Sequence, residues 1–444
     1  MTLHLLWTDI LVWLLMAGFA VLGWRSMRSV QTRRMWQSIF RSGVAMASVV
    51  VLLFYLLFAL LDSVHFKVNT PIAKGMVEGE IVSLLDMGMA HQKYYSERTY
   101  SAPFATREYT KSVTADAAGR TTQRYLPLQY VHADHFVQKS LMGIGSGMLL
   151  ALLLIATHWR WRKRYDTDMV SAAKIPWHVA YMTLLLLLVL FGWIYVMSFS
   201  YHVLGTDKVG ADVLYASLKS IRTGVLIGTL TTLVTLPLAI ILGVSAGYFR
   251  GWVDDLIQYL YTTLSSIPGV LLIAAGVLMM QVWVDQHPEW FASTVERSDL
   301  RLLFLVVILG ITSWTGLCRL VRAETLKIVK MDYVTAAKAF GVGSMRIMLR
   351  HIVPNLMHII LISVVLDFSS LVLAEAVLSY VGVGVDPTMY SWGNMINQAR
   401  LEMAREPMVW WSLFASFAFM FVLVLAANLF SDRVQHVLDP RNVS

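Results

Sequence analysis

The sequence predicts an all-α polytopic membrane protein, and three observations carry that prediction. Hydrophobic residues make up 57% of the 444-residue chain and charged residues only 14%. With a mean hydropathy of +0.61, this lies far outside the range of a soluble domain. The apolar residues gather into nine runs, each about the 20 residues that a helix needs to cross a bilayer. The charges between those runs alternate in balance along the chain, as the positive-inside rule requires.

Taken in order, the runs lie near 5–24, 42–61, 140–158, 177–200, 223–247, 256–283, 301–318, 356–383 and 408–431. Residues 25–41 carry Arg25, Arg28, Arg33, Arg34 and Arg41 with no acid, which places them in the cytoplasm and the N-terminus outside. No basic segment precedes the first run, so no cleavable signal peptide is expected. The segment 159–174 has Arg160, Arg162, Lys163, Arg164 and Lys174 against two aspartates and is cytoplasmic again. Residues 284–300 carry Asp285, Glu289, Glu296 and Asp299 against Arg297, and fall outside. Residues 319–351 carry seven Lys or Arg against Glu324 and Asp332, and fall inside, as does the C-terminus. A net charge of +8 distributed this way argues for membrane topology and against nucleic acid.

Between the second and third runs lies a hydrophilic insert, residues 62–139, with nine basic and eight acidic residues. Parity puts it in the periplasm. Val77–Gln92 sets Val77, Ile81, Leu84, Leu85 and Gly88 on one helical face, and 107–114 with 121–126 reads as a hairpin. His132, Asp134 and His135 are too few for a metal site and read as solvated surface. The single cysteine, Cys318, excludes an internal disulfide, so so small a domain must lean on the membrane part or on a partner. The organisation is therefore two spans in 1–61, the insert in 62–139, a third span and basic linker in 140–175, and a membrane core in 176–444.

Within the core, residues 333–355 (YVTAAKAFGVGSMRIMLRHIVPN) form a basic segment between apolar runs. The alanine-rich stretch with Lys338 suits a short helix, Gly341 supplies the left-handed residue that ends it, Ser344 can cap the next, and Pro354 closes the unit. No phosphate-binding GxxxxGK[ST] loop occurs, nor any HExxH, CxxC or GxSxG, so neither an ATP site nor a catalytic centre is expected here. Small residues four apart, at Gly143/Gly147, Gly224/Gly228 and Gly243/Gly247, mark close helix packing. Asp367 and Glu375 in the eighth run lie eight residues apart, on nearly one helical face. At bilayer depth such carboxylates face either a pathway or a hydrogen-bonded packing contact. Asn428 in the last run is a further candidate of the same kind.

The 333–355 segment resembles the EAA loop of ABC importer permeases, with Thr335 in place of the Glu and Val353 where Leu is usual. Seven further stretches follow the order seen in dipeptide, oligopeptide and nickel importer permeases of the DppC/OppC type. They are LGTDKVGADVL (204–214, Ala211 replacing Arg), AGYFRGWVDD (246–255), SSIPGVLL (265–272), SWTGLCRLVRAETL (313–326), AEAVLSYVGVGV (374–385), SWGNM (391–395) and LDPR (438–441). The resemblance covers about 181–444. It implies a type I ABC importer transmembrane fold with a six-helix core, here preceded by three extra spans and a small α+β periplasmic insert. It implies that Ala336, Ala337, Lys338, Gly341, Ser344, Arg346, Arg350, His351 and Pro354 form the ATPase-coupling loop, with Ala337 facing the ATPase groove. It further implies four kinds of partner in the bacterial inner membrane and periplasm: a second permease (DppB/OppB-like), two ABC ATPase subunits that hold ATP and Mg, a substrate-binding protein, and membrane lipid. Peptides are the expected cargo, nickel or another small solute the alternative. A secondary transporter without an ATPase, or a membrane scaffold serving the insert, are the rival classes.

Overall fold

The computed structural model describes residues 2–28, 30–68, 79–115, 121–131, 135–165, 175–291 and 293–438. The first half runs β1 (Thr2–His4), α1 (Trp7–Met27), α2 (Val30–Ile39), α3 (Gly43–Asp62), β2 (His65–Lys67), β3 (Ile81–Ser83), α4 (Leu84–Gly88), α5 (Ala90–Tyr94), β4 (Ser112–Ala115), β5 (Thr121–Arg124) and α6 (Phe136–Tyr165). The second half runs α7 (Trp177–Met197), α8 (Val213–Phe249), α9 (Gly251–Ser266), α10 (Gly269–Gln286), α11 (Thr294–Ile328), α12 (Asp332–Ala339), α13 (Ser344–Ile347), α14 (Val353–Val381), α15 (Trp392–Glu402) and α16 (Trp411–Leu438).

Among the described residues, eight helices are long and apolar enough to cross a membrane, and α1 adds a shorter apolar stretch, Trp7–Val21. The expected span over 256–283 is not one helix. It breaks at Ile267–Pro268 into α9, whose buried side chains are Ile257 and Tyr261, and α10. Pro268 has no N–H to donate and disfavours helical backbone at the residue before it, and Ile267 is accordingly extended (ψ 131°).

The glycine pairs seat the helices as their spacing predicts. A Cβ on Gly243 would stand 2.8 Å from the Cys318 carbonyl oxygen of α11, and one on Gly147 of α6 2.3 Å from the Leu188 carbonyl oxygen of α7. Gly224 and Gly228 likewise admit the rings of Trp392 and Phe368. The added second span is no outlier. Tyr55, Phe58 and Ala59 of α3 share one buried cluster with Met197, Leu214, Trp392 and Trp411, and Leu85, Met89 and Tyr100 of the insert enter it too.

β1 pairs antiparallel with β2, and β2 with β3, which brings the start of the chain to the insert. The expected helix over 77–92 is corrected here. Of its described part, Ile81–Ser83 is the third strand of this sheet, and helix begins only at Leu84, behind the capping box of Ser83 and Asp86. Three residues of strand are fixed by pairing with residues far away in sequence, which a local pattern does not carry. The hairpin is present as β4 and β5, in register from Ser112↔Arg124 to Ala115↔Thr121. His132 and Asp134 lie outside the described residues, and among the described residues no cluster of metal-ligating side chains occurs.

Candidate functional site

At the end of the bundle away from the insert, α12 stops at Phe340 and Gly341 takes φ +72°. The Gly341 N–H donates to the Lys338 carbonyl at 3.0 Å and the Val342 N–H to the Ala337 carbonyl at 3.1 Å. This crossed pair closes a helix end with a left-handed residue. Nothing lies within 4 Å of where a Gly341 Cβ would be, so glycine is needed there for backbone conformation and not for space. Ser344 does not cap: α13 is preceded by Gly343 and shows no side-chain cap. Beyond it the chain widens into a π turn, Met348–Ile352, where the Val353 N–H reaches back to the Met348 carbonyl. Pro354, which has no N–H to continue the α pattern, follows directly at the start of α14.

The loop stands on a firm base. Ile347 and Ile352 are fully buried beside Val334, Trp314 and Tyr261, and Ala337 and Val342 pack on the same cluster. Ala337 is half-buried against this cluster, whereas Ala336 is exposed. Asp254 of α9 accepts two hydrogen bonds from Arg322 of α11, at 2.5 and 2.7 Å, and that pairing holds its carboxyl below the usual range. The Lys338 ammonium sits 4.6 Å from the Tyr248 ring centroid. Asn355 Nδ2 donates to the Tyr333 hydroxyl at 3.0 Å, and the Tyr333 ring lies beside His351.

What the loop presents outward is apolar and basic. Phe340 is 87% exposed, Met345 66% and Leu349 63%, with Arg346 and Arg350 exposed among them. Three large apolar side chains held out on a well-packed base mark an interaction surface. Sequence reasoning named the basic residues and missed these three; their interleaving with Arg346 and Arg350 was the available signal.

Asp367 and Glu375 do not share an environment. Glu375 is 1% exposed; its carboxylate accepts from the Ser379 hydroxyl at 2.8 Å and is hydrogen-bonded by Ser391 and the Gly393 N–H at the start of α15. A Cβ on Gly393 would lie 2.8 Å from Glu375 Oε1. Glu375 therefore pins the SWGNM stretch onto α14. Asp367 is half-buried, and Asn428 is exposed on the outer surface of α16.

At the other end, the Leu204–Leu214 turn is grasped by the insert. The Thr206 hydroxyl accepts from the Ser101 N–H at 2.7 Å and donates to the Thr99 carbonyl at 3.0 Å, and Trp411 Nε1 donates to the Thr206 carbonyl at 2.8 Å. Gly210, at φ +77°, lies so close to Glu97 that a Cβ would overlap the Glu97 carbonyl. His202 stands between Asp212, at 2.8 Å, and Glu97, at 3.7 Å. Burial alone would lower its pKa, but the two carboxylates raise it to about 9.

Next to this turn, Arg222 of α8 is buried and reaches Thr8 and Asp9 of α1 at 2.7 Å each, Ser63 at 3.3 Å and Asp299 of α11 at 3.5 Å. Lys219, one turn earlier, binds Asp86 of the insert at 2.6 Å and Asp62 at 3.2 Å. Lys93 joins Asp86 at 3.1 Å to Glu80 at 2.8 Å. Sequence reasoning passed over these groups, since Lys219 and Arg222 just precede an apolar run and their partners are spread over four segments.

The model of the family described as binding-protein-dependent transport system inner membrane component matches residues 239–444. Among curated relatives, the glutathione transport system permease protein GsiD of Pectobacterium atrosepticum is 32% identical over 54% of this chain and 73% of its own length. The oligopeptide transport system permease protein OppC of Mycobacterium tuberculosis is 30% identical over 55% of this chain and 77% of its own. The dipeptide transport system permease protein DppC of Bacillus subtilis is 28% identical over 54% and 69%.

Proposed function

The chain belongs to the family of binding-protein-dependent transport system inner membrane components, and from that premise we propose that it is one of two permease subunits of an ATP-driven peptide importer. The observation that carries the coupling part of this reading is the ordered, outward-facing patch of Phe340, Met345 and Leu349 with its basic neighbours. A patch of that kind fits a groove on a cytoplasmic ATPase subunit. ATP and Mg are then held by two such subunits, and their closure displaces residues 333–355. The core helices switch between outward and inward openings while a periplasmic binding protein delivers cargo to the insert end.

Peptide cargo is supported by the relatives, whose names specify oligopeptides, dipeptides and glutathione. The orientation proposed from the charge alternation, N-terminus outside and C-terminus inside, agrees with a sheet that joins the start of the chain to the insert.

Co-purification from membranes tests the reading. The wild-type complex should retain ATPase subunits, and Phe340→Ser should release them and abolish uptake at unchanged permease levels. Truncating an aromatic at the centre of an interface typically costs 2 kcal/mol or more, roughly a thirtyfold loss of affinity. Wild-type ATPase retention and uptake in Phe340→Ser would remove the patch from the coupling role.

A further inference from the structure

The added N-terminal spans are joined by a short basic helix, α2, at the end of the bundle away from the insert. β1 leads into α1, β2 follows α3, and the two strands are paired, so α1 starts and α3 ends at one level. The helices have 21 and 20 residues, so α1 also ends and α3 starts at one level. That level is about 30 Å further on at 1.5 Å per residue, the thickness of the hydrocarbon core of a bilayer. α2 is linked to α1 by two residues and to α3 by three, and therefore lies across the spans where they leave that core. It rests there on the last turns of α16, whose first residue, Trp411, is at the insert end.

The two faces of α2 differ. Ile39 is buried with Ala45 of α3 and Val434 of α16, and Met35 and Thr32, four and seven residues earlier on the same side, are half-buried. Arg33 and Arg34 stand on the opposite side and are exposed, as are Arg28 and Arg41 just beyond the helix ends. The chain has no acidic residue between Asp9 and Asp62, and among the described residues no carboxylate pairs with any of these four arginines. The end of α16 beside them holds Asp432 with Arg433 and His436, and so brings no acidic excess.

The exposed flank of α1 runs through Leu14, Val21 and Trp24 to Arg28, whose guanidinium sits 3.9 Å from the Trp24 ring centroid. Aliphatic, aromatic and cationic groups follow one another there as a leaflet passes from acyl chains through the interface to phosphate. An acidic protein partner requires no such order. Guanidiniums without counter-charge, on an amphipathic helix lying in that plane, complement phosphate, which accepts their N–H groups in pairs. We propose that α2, with Arg28 and Arg41, is a docking site for the headgroups of anionic phospholipid in the adjacent leaflet. Its basic residues all lie outside residues 239–444, so the site belongs to the added part of this chain.

Lipid binding is measurable on the full-length chain in neutral detergent, without transport, so its outcome is separate from that of the importer reading. Phosphatidylglycerol carrying a fluorescent acyl chain should bind saturably, and zwitterionic phosphatidylcholine with the same label at least about tenfold more weakly. Arg33→Gln/Arg34→Gln leaves Arg25, Arg28 and Arg41 to hold the orientation. It should weaken phosphatidylglycerol about thirtyfold, each arginine near an anionic surface being worth about fivefold. Arg346→Gln/Arg350→Gln removes the same charge from the loop, at the foot of a 38-residue helical run that outreaches the bilayer. That variant should bind phosphatidylglycerol within about twofold of wild type, since charges more than about 10 Å apart are screened. Equal binding of the two lipids, unchanged affinity in the α2 variant, or equal loss in both variants would each overturn the proposal. Unchanged lipid affinity in the α2 variant together with release of co-purifying ATPase subunits would also overturn it, and would make α2 a protein contact.

Discussion

The two ends of the bundle solve opposite problems. At the insert end the chain satisfies itself: the turn at 204–214 is clasped by backbone and hydroxyl contacts, and the charges of α8 are paired with carboxylates from α1, α3, the insert and α11. At the loop end the chain leaves Phe340, Met345 and Leu349 bare on a rigid base. Contacts of the first kind fix structure, and surfaces of the second kind await a partner. Mutations at the two ends should accordingly be read by different measurements, stability at one and association at the other.

The sharpest way to break this contrast is Arg222→Met. It leaves Asp9 and Asp299 buried without their cation, and removing one partner from such a network costs about 3–5 kcal/mol. The variant should show a markedly lower melting midpoint in detergent and a reduced monodisperse yield. Arg346→Met, at the loop end, should melt within about 0.5 kcal/mol of wild type. Similar midpoints for the two variants would erase the distinction.

A smaller effect should come from His202, whose pKa is raised to about 9 from an ordinary 6.5 by Asp212 and Glu97. A raised pKa means that the charged form stabilises the fold. That contribution is complete below about pH 6.5 and is lost as the pH climbs through about 9, amounting to at most about 3 kcal/mol. Proteolysis of the insert should therefore accelerate between neutral pH and about pH 9.5 in the wild type, and His202→Gln should be susceptible already at neutral pH and show little further change. Parallel pH profiles for the two proteins would detach His202 from insert docking.

A local effect, confined to the turn, belongs to Gly341→Val. A β-branched residue at φ +72° costs about 1–3 kcal/mol locally, and no neighbour clashes with it. The variant should insert at wild-type levels yet release the ATPases, and Gly341→Asn, which tolerates left-handed backbone, should retain them. Release by both, or by neither, would mean that backbone geometry at this turn does not set the association.

Much of this was legible in the sequence because it is local or periodic. Apolar run length gave the long helices, four-residue glycine spacing gave the helix contacts, and Gly341 gave the turn. What escaped depends on residues far apart in the chain. The strand Ile81–Ser83 exists only through pairing with His65–Lys67. The roles of Asp367 and Glu375 looked alike by helical phase and differ because Ser391 and Gly393 return to only one of them. The support that the insert needs turned out to be the membrane domain itself, through Thr99, Ser101 and Asp86. Pro268 is plain in the sequence, but the apolar residues on both sides of it run together as one span and hide the break.

The run from Ser344 to Val381 is continuous helix of 38 residues, interrupted only by the π turn at its foot, and about 57 Å long at 1.5 Å per residue. It joins Met345, at the loop, to Glu375, whose carboxylate grips α15. Were that helix to tilt as one rigid body about its foot, the far rim would move further than the foot by the ratio of their distances from the pivot. The wide turn Met348–Ile352 just above the foot is the one departure from regular α-helix along that run, so the coupling of loop to α15 passes through it.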